Sequence, residues 1–145
     1  MRLCHLKDSD PKQYFAVKVI ERKKLDDRLN KNLRNEISIL MKIKNPHVIK
    51  LSDVQRTENN VYLITELCNG GDLEKLKTLR GGRFTEMEAR IVIQQLVKGF
   101  KDIYRLEVMH RDLKLPNILV HFPEYPHDLV GKPTSSTYTV NQKKR

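Results

Sequence analysis

Residues 108–120 read VMHRDLKLPNILV, and they contain three polar side chains whose spacing indicates chemistry. Asp112 is followed two positions later by Lys114 and five positions later by Asn117. A carboxylate can take a proton from a hydroxyl group, a lysine can hold a migrating phosphate, and an amide oxygen can bind magnesium. The stretch therefore predicts the floor of a phosphate-transfer site.

The length and composition limit what surrounds this stretch. With 145 residues, 39% of them hydrophobic and 32% charged, the chain is expected to be one globular domain or part of a larger one. No apolar run approaches the roughly 18 residues that a membrane span needs, and the N-terminus lacks the apolar stretch of a secretory signal. Cys4 and Cys68 lie far apart and form no metal-binding spacing, which favours free thiols in the cytoplasm.

The formal charge of +10 raises the possibility of nucleic-acid binding. The basic residues are spread over several segments and alternate with acidic residues, a pattern typical of solvated helix faces. No recognised RNA or DNA module accompanies the charge, so the sequence argues against dedicated nucleic-acid binding. A nucleic-acid binder, kept as a third hypothesis, would show steeply salt-dependent binding.

The first half of the chain predicts strands and one helix. Strands are expected over residues 2–6, 14–20, 48–54 and 61–67. Apolar residues recur every three or four positions from Leu25 to Met41, which predicts a helix that ends at the Asn45-Pro46 break.

The second half predicts helices. Residues 69–72 form a turn before a short helix whose Leu73, Leu76 and Leu79 are expected to face inward. A capping box of Thr85 and Glu88 begins a long helix over residues 85–106. The apolar residues of that helix cover so much of its circumference that burial on several sides is expected: Met87, Ile91, Val92, Ile93, Leu96, Val97, Phe100, Ile103 and Tyr104.

The order of these features resembles the protein kinase family: a strand with Lys18, a helix with Glu36, a second strand pair, a long helix and the pattern HRDxxxxN. The resemblance implies a two-lobed α+β fold. Residues 1–69 would be the N-terminal lobe, an antiparallel sheet with one helix and the hinge. Residues 70–120 would begin the helical C-terminal lobe, and the proline-rich residues 121–145 would be a loop, insertion or tail.

The resemblance also implies roles in the catalytic loop. Asp112 would orient and deprotonate the acceptor hydroxyl, Lys114 would stabilise the γ-phosphate, and Asn117 would bind Mg²⁺. Arg111 would meet a phosphorylated activation loop, and His110 would pack as a structural residue. Lysine at position 114 is the pattern of serine/threonine kinases. One departure is the proline, which many relatives place one position earlier than this chain does.

Nucleotide contacts are implied in the first lobe and the hinge. Lys18 would contact the α- and β-phosphates of ATP, and Glu36 would pair with it. Glu36 lies at the border of the leucine stripe, so it can turn towards a lysine on the adjacent sheet.

Four further positions complete the expected nucleotide site. Main-chain groups of Glu66 and Cys68 would bond adenine. Asp72 would meet the ribose, and Thr65 stands where the family has its gatekeeper.

The stretch DVQRTENNVYLITELCNGGDL, residues 53–73, is most similar to the autophagy-initiating serine/threonine kinases. The implied activity is ATP-dependent transfer of phosphate to serine and threonine of protein substrates, with Mg²⁺ as the metal cofactor.

Two signatures of the family do not occur in this sequence. The glycine-rich phosphate loop, which in the family precedes the strand lysine, is missing, since the first glycine is Gly70. The Asp-Phe-Gly signature is missing as well; residues 128–131, DLVG, resemble it, but their glycine comes one position late. We therefore expect a fragment of a kinase domain that is neither active nor stable alone. The alternative is a catalytically inactive, kinase-like interaction module.

Overall fold

The computed structural model describes residues 2–5, 7, 13–123 and 139–142. The chain divides into two compact units. The first lies within residues 1–44 and 50–67, and the second within residues 45–49 and 68–145.

The first unit contains a four-stranded antiparallel sheet and one helix. Its strands are β1 (Arg2–His5), β2 (Tyr14–Glu21), β3 (Leu51–Arg56) and β4 (Asn60–Glu66), in the order β1-β2-β4-β3. A 3₁₀ turn leads from β2 into α1 (Asp27–Lys42). Asp26 begins this helix because its carboxylate accepts a hydrogen bond from the Leu29 N–H at 2.7 Å.

The core of the first unit lies between α1 and the sheet. In α1 the apolar residues recur every three or four positions and so lie on one side of the helix. In each strand every second side chain points to the same face of the sheet, so apolar side chains of the helix and the sheet meet. Its buried members are Leu33, Ile37, Leu40, Leu51, Val61 and Leu63.

The second unit contains two helices and a pair of antiparallel strands. These elements are α2 (Leu73–Leu79), α3 (Glu86–Arg105), β5 (Ile118–His121) and β6 (Thr139–Gln142), with a 3₁₀ turn at Leu115–Asn117. The predicted capping box of α3 is present, since Thr85 Oγ1 accepts from the Glu88 N–H and Glu88 Oε2 accepts from the Thr85 N–H. The core of this unit consists of Leu73, Leu76, Val92, Leu96, Ile118, Val120 and Phe122.

The structure differs from the sequence predictions at the start of β3 and at the end of the chain. β3 begins at Leu51, three residues later than predicted, because a turn occupies the preceding residues: Val48 N–H bonds the Asn45 carbonyl and His47 N–H bonds its side chain. Residues 139–142, expected to belong to a loop or tail, form β6.

Two predictions of burial are wrong. Leu79 is 61% exposed, because a spacing of three residues drifts around the helix and Leu79 is the last residue of α2. Helix α3 is buried along one stripe only, formed by Val92, Leu96, Gly99 and Ile103. Four of the apolar residues expected to widen this stripe or begin it are exposed: Met87, Ile93, Val97 and Tyr104. No helix in the described ranges combines the length and apolar character that a membrane span requires.

Candidate active site

The catalytic loop, residues 110–117, is anchored at both ends by packing within the second unit. At one end His110 is 7% exposed, and its ring centroid lies 6.2 Å from that of Phe100. At the other end Leu115 packs against the core that contains Ile118. His110 is thus a packed residue, as predicted, and its Nδ1 accepts a hydrogen bond of 3.4 Å from the Asp112 N–H.

The carboxylate of Asp112 is held by both of the polar side chains that the sequence placed near it. Lys114 Nζ lies 3.0 Å from Asp112 Oδ1. Asn117 Nδ2 donates to Asp112 Oδ2 at 2.8 Å and to the Asp112 main-chain oxygen at 2.9 Å. The carboxylate is 30% exposed, so it remains accessible to a reactant while its orientation is fixed.

Asn117 is the buried member of this group, with an exposure of 3%. The chain reaches it through a 3₁₀ turn in which Pro116 occupies an early position and the Asn117 N–H bonds the Lys114 carbonyl at 2.9 Å. Because the Asn117 amide nitrogen is committed to Asp112, the amide oxygen is the atom that can serve a cation.

Arg111 has a φ of 61°, in the left-handed region that non-glycine residues rarely adopt. Its side chain is exposed. The buried His110 and the accessible Asp112 lie on either side of this residue.

The donor set suits magnesium only in part. Mg²⁺ uses one or two protein oxygens and takes its other ligands from substrate phosphates and water. The Asn117 amide oxygen and the Asp112 carboxylate are oxygen donors of that kind. In the part of the chain that the structure describes, no group of three or more His, Cys, Asp or Glu residues could hold a metal ion.

Lys18 lies on the surface of the sheet that faces α1, and Glu36 lies on α1 at the border of the surface that faces the sheet. Lys18 is paired in register with Leu63 of β4, whose side chain belongs to the core that α1 covers, so Lys18 is on the same face of the sheet. Glu36 lies three positions after Leu33 and four before Leu40, both members of that core, so it borders the same face of α1. Both Lys18 and Glu36 are half-buried. Within residues 13–123 no ion pair joins Lys18 to Glu36.

The end of β4 carries two of the predicted residues. Thr65 Oγ1 donates to the Ala16 carbonyl at 3.3 Å. Glu66 N–H donates to the Lys50 carbonyl at 3.1 Å, and Glu66 Oε1 accepts from the Lys50 N–H at 2.9 Å. Burial raises the pKa of the Glu66 carboxyl, and the hydrogen bond from Lys50 opposes this shift.

Cys68 and Asp72 flank the turn that begins the second unit. Cys68 is buried. Asp72 begins α2, since its Oδ1 accepts from the Lys75 N–H at 2.8 Å, and its Oδ2 lies 3.8 Å from Lys75 Nζ. The side chain predicted to meet a ribose therefore also caps a helix.

Asn69 is a buried polar residue beside the predicted nucleotide contacts that the sequence analysis did not single out. Its side chain is 2% exposed and bonds both main-chain groups of Phe122. The sequence signal was the run NGGD at 69–72, which was interpreted only as a turn. Nothing in the run reveals a partner that lies 53 positions later.

Comparisons with known proteins identify the family. The model of the protein kinase domain matches residues 2–126. The chain therefore belongs to the protein kinase domain family, and the family prediction and the predicted kinase-like α+β fold are confirmed.

The relatives are protein kinases of greater length. The chain is 43% identical over 107 residues to the hormonally up-regulated neu tumor-associated kinase of Homo sapiens, covering 72% of this chain and 15% of that protein. It is 37% identical over 118 residues to serine/threonine-protein kinase ULK3 of Mus musculus, covering 81% and 25%. A crystal structure of Rad53 in complex with AMP-PNP superposes with a TM-score of 0.70 and 26% identity, covering 91% of this chain and 31% of that one.

Proposed function

We propose that the kinase domain to which this chain belongs transfers the γ-phosphoryl group of ATP to serine and threonine hydroxyls of protein substrates. The observation that carries the proposal is the fixed carboxylate of Asp112, held between Lys114 Nζ at 3.0 Å and Asn117 Nδ2 at 2.8 Å. The family membership and the lysine at position 114 support the serine/threonine class.

The residues divide the reaction between them. Asp112 orients the acceptor hydroxyl and takes its proton, as a general base, while the oxygen attacks the γ-phosphorus. The bond from that phosphorus to the β,γ-bridging oxygen breaks, and ADP leaves. Lys114, 3.0 Å from the same carboxylate, supplies positive charge beside the acceptor and can hold the phosphoryl group as it moves. Asn117 keeps the carboxylate in one orientation through its amide nitrogen. The protein forms no covalent intermediate in this reaction, so most of the rate acceleration comes from holding the acceptor hydroxyl and the phosphate in position.

Nucleotide binding is proposed from the same family membership. The Rad53 structure that superposes on 91% of this chain was solved in complex with AMP-PNP, an adenine nucleotide. We assign adenine to main-chain groups at Glu66 and Cys68, the ribose to Asp72, and the phosphates to Lys18. Magnesium, when bound, neutralises phosphate charge, and the Asn117 amide oxygen is the atom that would hold it.

The proposed setting is the cytoplasm. Cys4 and Cys68 are both free thiols, a state that suits a reducing compartment. In that setting the partners would be ATP and the proteins whose serine and threonine residues are phosphorylated.

The test is an assay of label transfer from γ-labelled Mg-ATP to peptides that contain serine, threonine or tyrosine as the only acceptor. When the chain is extended to include a glycine-rich loop and an Asp-Phe-Gly segment, it is expected to label the serine and threonine peptides. Lys18→Met and Asp112→Asn should each abolish the transfer. Activity that persists in both variants would refute the assignment of these residues.

One observation favours a second candidate, a catalytically inactive interaction module. Active protein kinases need the strand lysine and the helix glutamate to be paired, and no ion pair joins Lys18 to Glu36 within residues 13–123. This candidate predicts that Mg-ATP does not change the melting temperature of the chain. An increase in melting temperature with Mg-ATP would exclude it.

A further inference from the structure

A short antiparallel ladder joins residues 69–72 to residues 119–122 within the second unit. Val120 N–H donates to the Gly71 carbonyl at 2.9 Å, and Gly70 N–H donates to the Val120 carbonyl at 2.9 Å. The ladder therefore links the turn after Cys68 to the strand that follows the catalytic loop.

Asn69 extends this ladder by one rung through its side chain. Its Nδ2 donates to the Phe122 carbonyl at 3.0 Å, and its Oδ1 accepts from the Phe122 N–H at 2.8 Å. A carboxamide offers the same donor and acceptor as a peptide group, so it replaces a strand partner here. Asn69 is 2% exposed and Phe122 is 7% exposed, so the two bonds are shielded from water.

The neighbouring glycine shows how closely the two segments approach. A Cβ atom at Gly70 would lie 2.7 Å from Cε2 of Phe122 and 2.8 Å from the Val120 carbonyl oxygen. Any side chain at position 70 would therefore push the segments apart. The close approach keeps Phe122 within reach of the short side chain of Asn69.

We propose that Asn69 is a positioning residue for the nucleotide. It fixes the main chain at Cys68, the proposed adenine contact, to the strand that continues directly from Asn117. The ladder would then set the distance from the adenine contact to the catalytic loop. This inference rests on the proposed function, because it assigns Asn69 a part in the same nucleotide site.

A role in stability alone would explain the two buried hydrogen bonds equally well, so the test must separate affinity from folding. Asn69→Ala removes both bonds, and the isosteric Asn69→Asp keeps the acceptor for the Phe122 N–H but loses the donor. Val92→Ala is the control: Val92 is buried in the same core and takes no part in the ladder. It lowers stability without removing either hydrogen bond of the Asn69 side chain.

The measurement is the affinity of each full chain for Mg-ATP by titration calorimetry, at a temperature where circular dichroism shows every variant folded. We expect Asn69→Ala to weaken binding by about tenfold or more, with Asn69→Asp weakened in the same direction. Val92→Ala should bind within about twofold of wild type. If Asn69→Ala does not fold, Asn69→Asp carries the comparison.

The outcomes separate this inference from the proposed function. If the wild type binds Mg-ATP and the Asn69 variants bind as tightly as Val92→Ala, Asn69 serves stability only and the inference is overturned. If the wild type itself does not bind Mg-ATP, the proposed nucleotide site is overturned and the role of Asn69 in it falls as well.

Discussion

The catalytic loop and the Lys18–Glu36 pair belong to different units, and the structure assembles them to different degrees. In the loop, Asp112 contacts both Lys114 and Asn117 at 3.0 Å or less. In the first unit, Lys18 and Glu36 share one layer between sheet and helix, but no ion pair joins them within residues 13–123. The loop depends on residues at most five positions apart, whereas the pair depends on how far a helix stands from a sheet. The contacts of Asp112 within the loop are therefore formed, whereas the ion pair between Lys18 and Glu36 is not.

The largest expected effect comes from Asp112→Asn, which replaces the proposed base by an amide of the same size. The rate of phosphoryl transfer should fall by about 10²- to 10⁴-fold, while the melting temperature stays close to that of wild type. Steady-state kinetics with a serine peptide measure the loss. Asp27→Asn, an exposed change in the first unit, is the control, and an equal loss in both variants would show that the effect is not specific to the loop.

Asn117→Ala tests whether the loop is held by the bonds described. The change leaves the Asp112 carboxylate without its buried donor, so the free energy of unfolding should fall by about 1–3 kcal/mol. Urea denaturation measures this value. Asn59→Ala, an exposed change in the turn before β4, should have little effect; equal stability of the two variants would mean that the Asn117 bonds do not organise the loop.

Thr85→Ala tests another local feature of the second unit, the capping box of α3. Loss of the cap should lower the free energy of unfolding by about 1 kcal/mol, and Thr85→Ser should restore most of it. The bonds from Thr85 also lower the pKa of the Glu88 carboxyl below its usual value of 4.5. The stabilisation by the ionised Glu88 carboxylate is present above pH 4.5 and is lost as the pH falls through the folded pKa of Glu88. The difference in free energy of unfolding between Thr85→Ala and wild type should therefore shrink in acid.

The first unit should show the opposite dependence on pH at Glu66. Burial raises the pKa of this carboxyl above 4.5, so its charged form is less favourable in the folded state than in the unfolded chain. Its contribution to stability is therefore greatest in acid and declines as the pH rises through 4.5 and through the folded pKa. Glu66→Gln can still accept from the Lys50 N–H and should raise the melting temperature at pH 7 but not in acid. A larger gain in acid than at pH 7 would contradict this sign.

The smallest expected effect is the coupling between Lys18 and Glu36 in the absence of nucleotide. A double-mutant cycle with Lys18→Met and Glu36→Gln should give an interaction energy below about 0.5 kcal/mol, because the two side chains make no ion pair. Thermal denaturation of the four proteins provides the cycle. A coupling energy well above that value would show that the pair forms in the free chain and would remove the contrast with the catalytic loop.

Much of the fold was predictable because it depends on local patterns. The apolar period of α1, the capping box of Thr85 and Glu88, and the spacing of Asp112, Lys114 and Asn117 each act over a few residues. The start of β3 was predicted too early because Val48, the first residue of the predicted strand, closes a turn that the Asn45 main chain and side chain hold.

The features that were missed depend on partners distant in the chain. β6 pairs with residues 118–121, and nothing in the proline-rich sequence before it reveals that partner. The bonds of Asn69 to Phe122 cross 53 positions. The exposed side of α3 was predicted to be buried because the apolar residues alone do not show what packs against a helix.

The most direct test of the central claim is the identity of the residue that receives phosphate. The wild-type chain, extended to include a glycine-rich loop and an Asp-Phe-Gly segment, would be incubated with Mg-ATP and a mixture of serine, threonine and tyrosine peptides, and the products mapped by mass spectrometry beside those of Asp112→Asn in the same extended chain. The assembled loop predicts phosphate on serine and threonine with the wild type and none with the variant. Unmodified peptides with the wild-type chain, or the same phosphopeptides with Asp112→Asn, would contradict it.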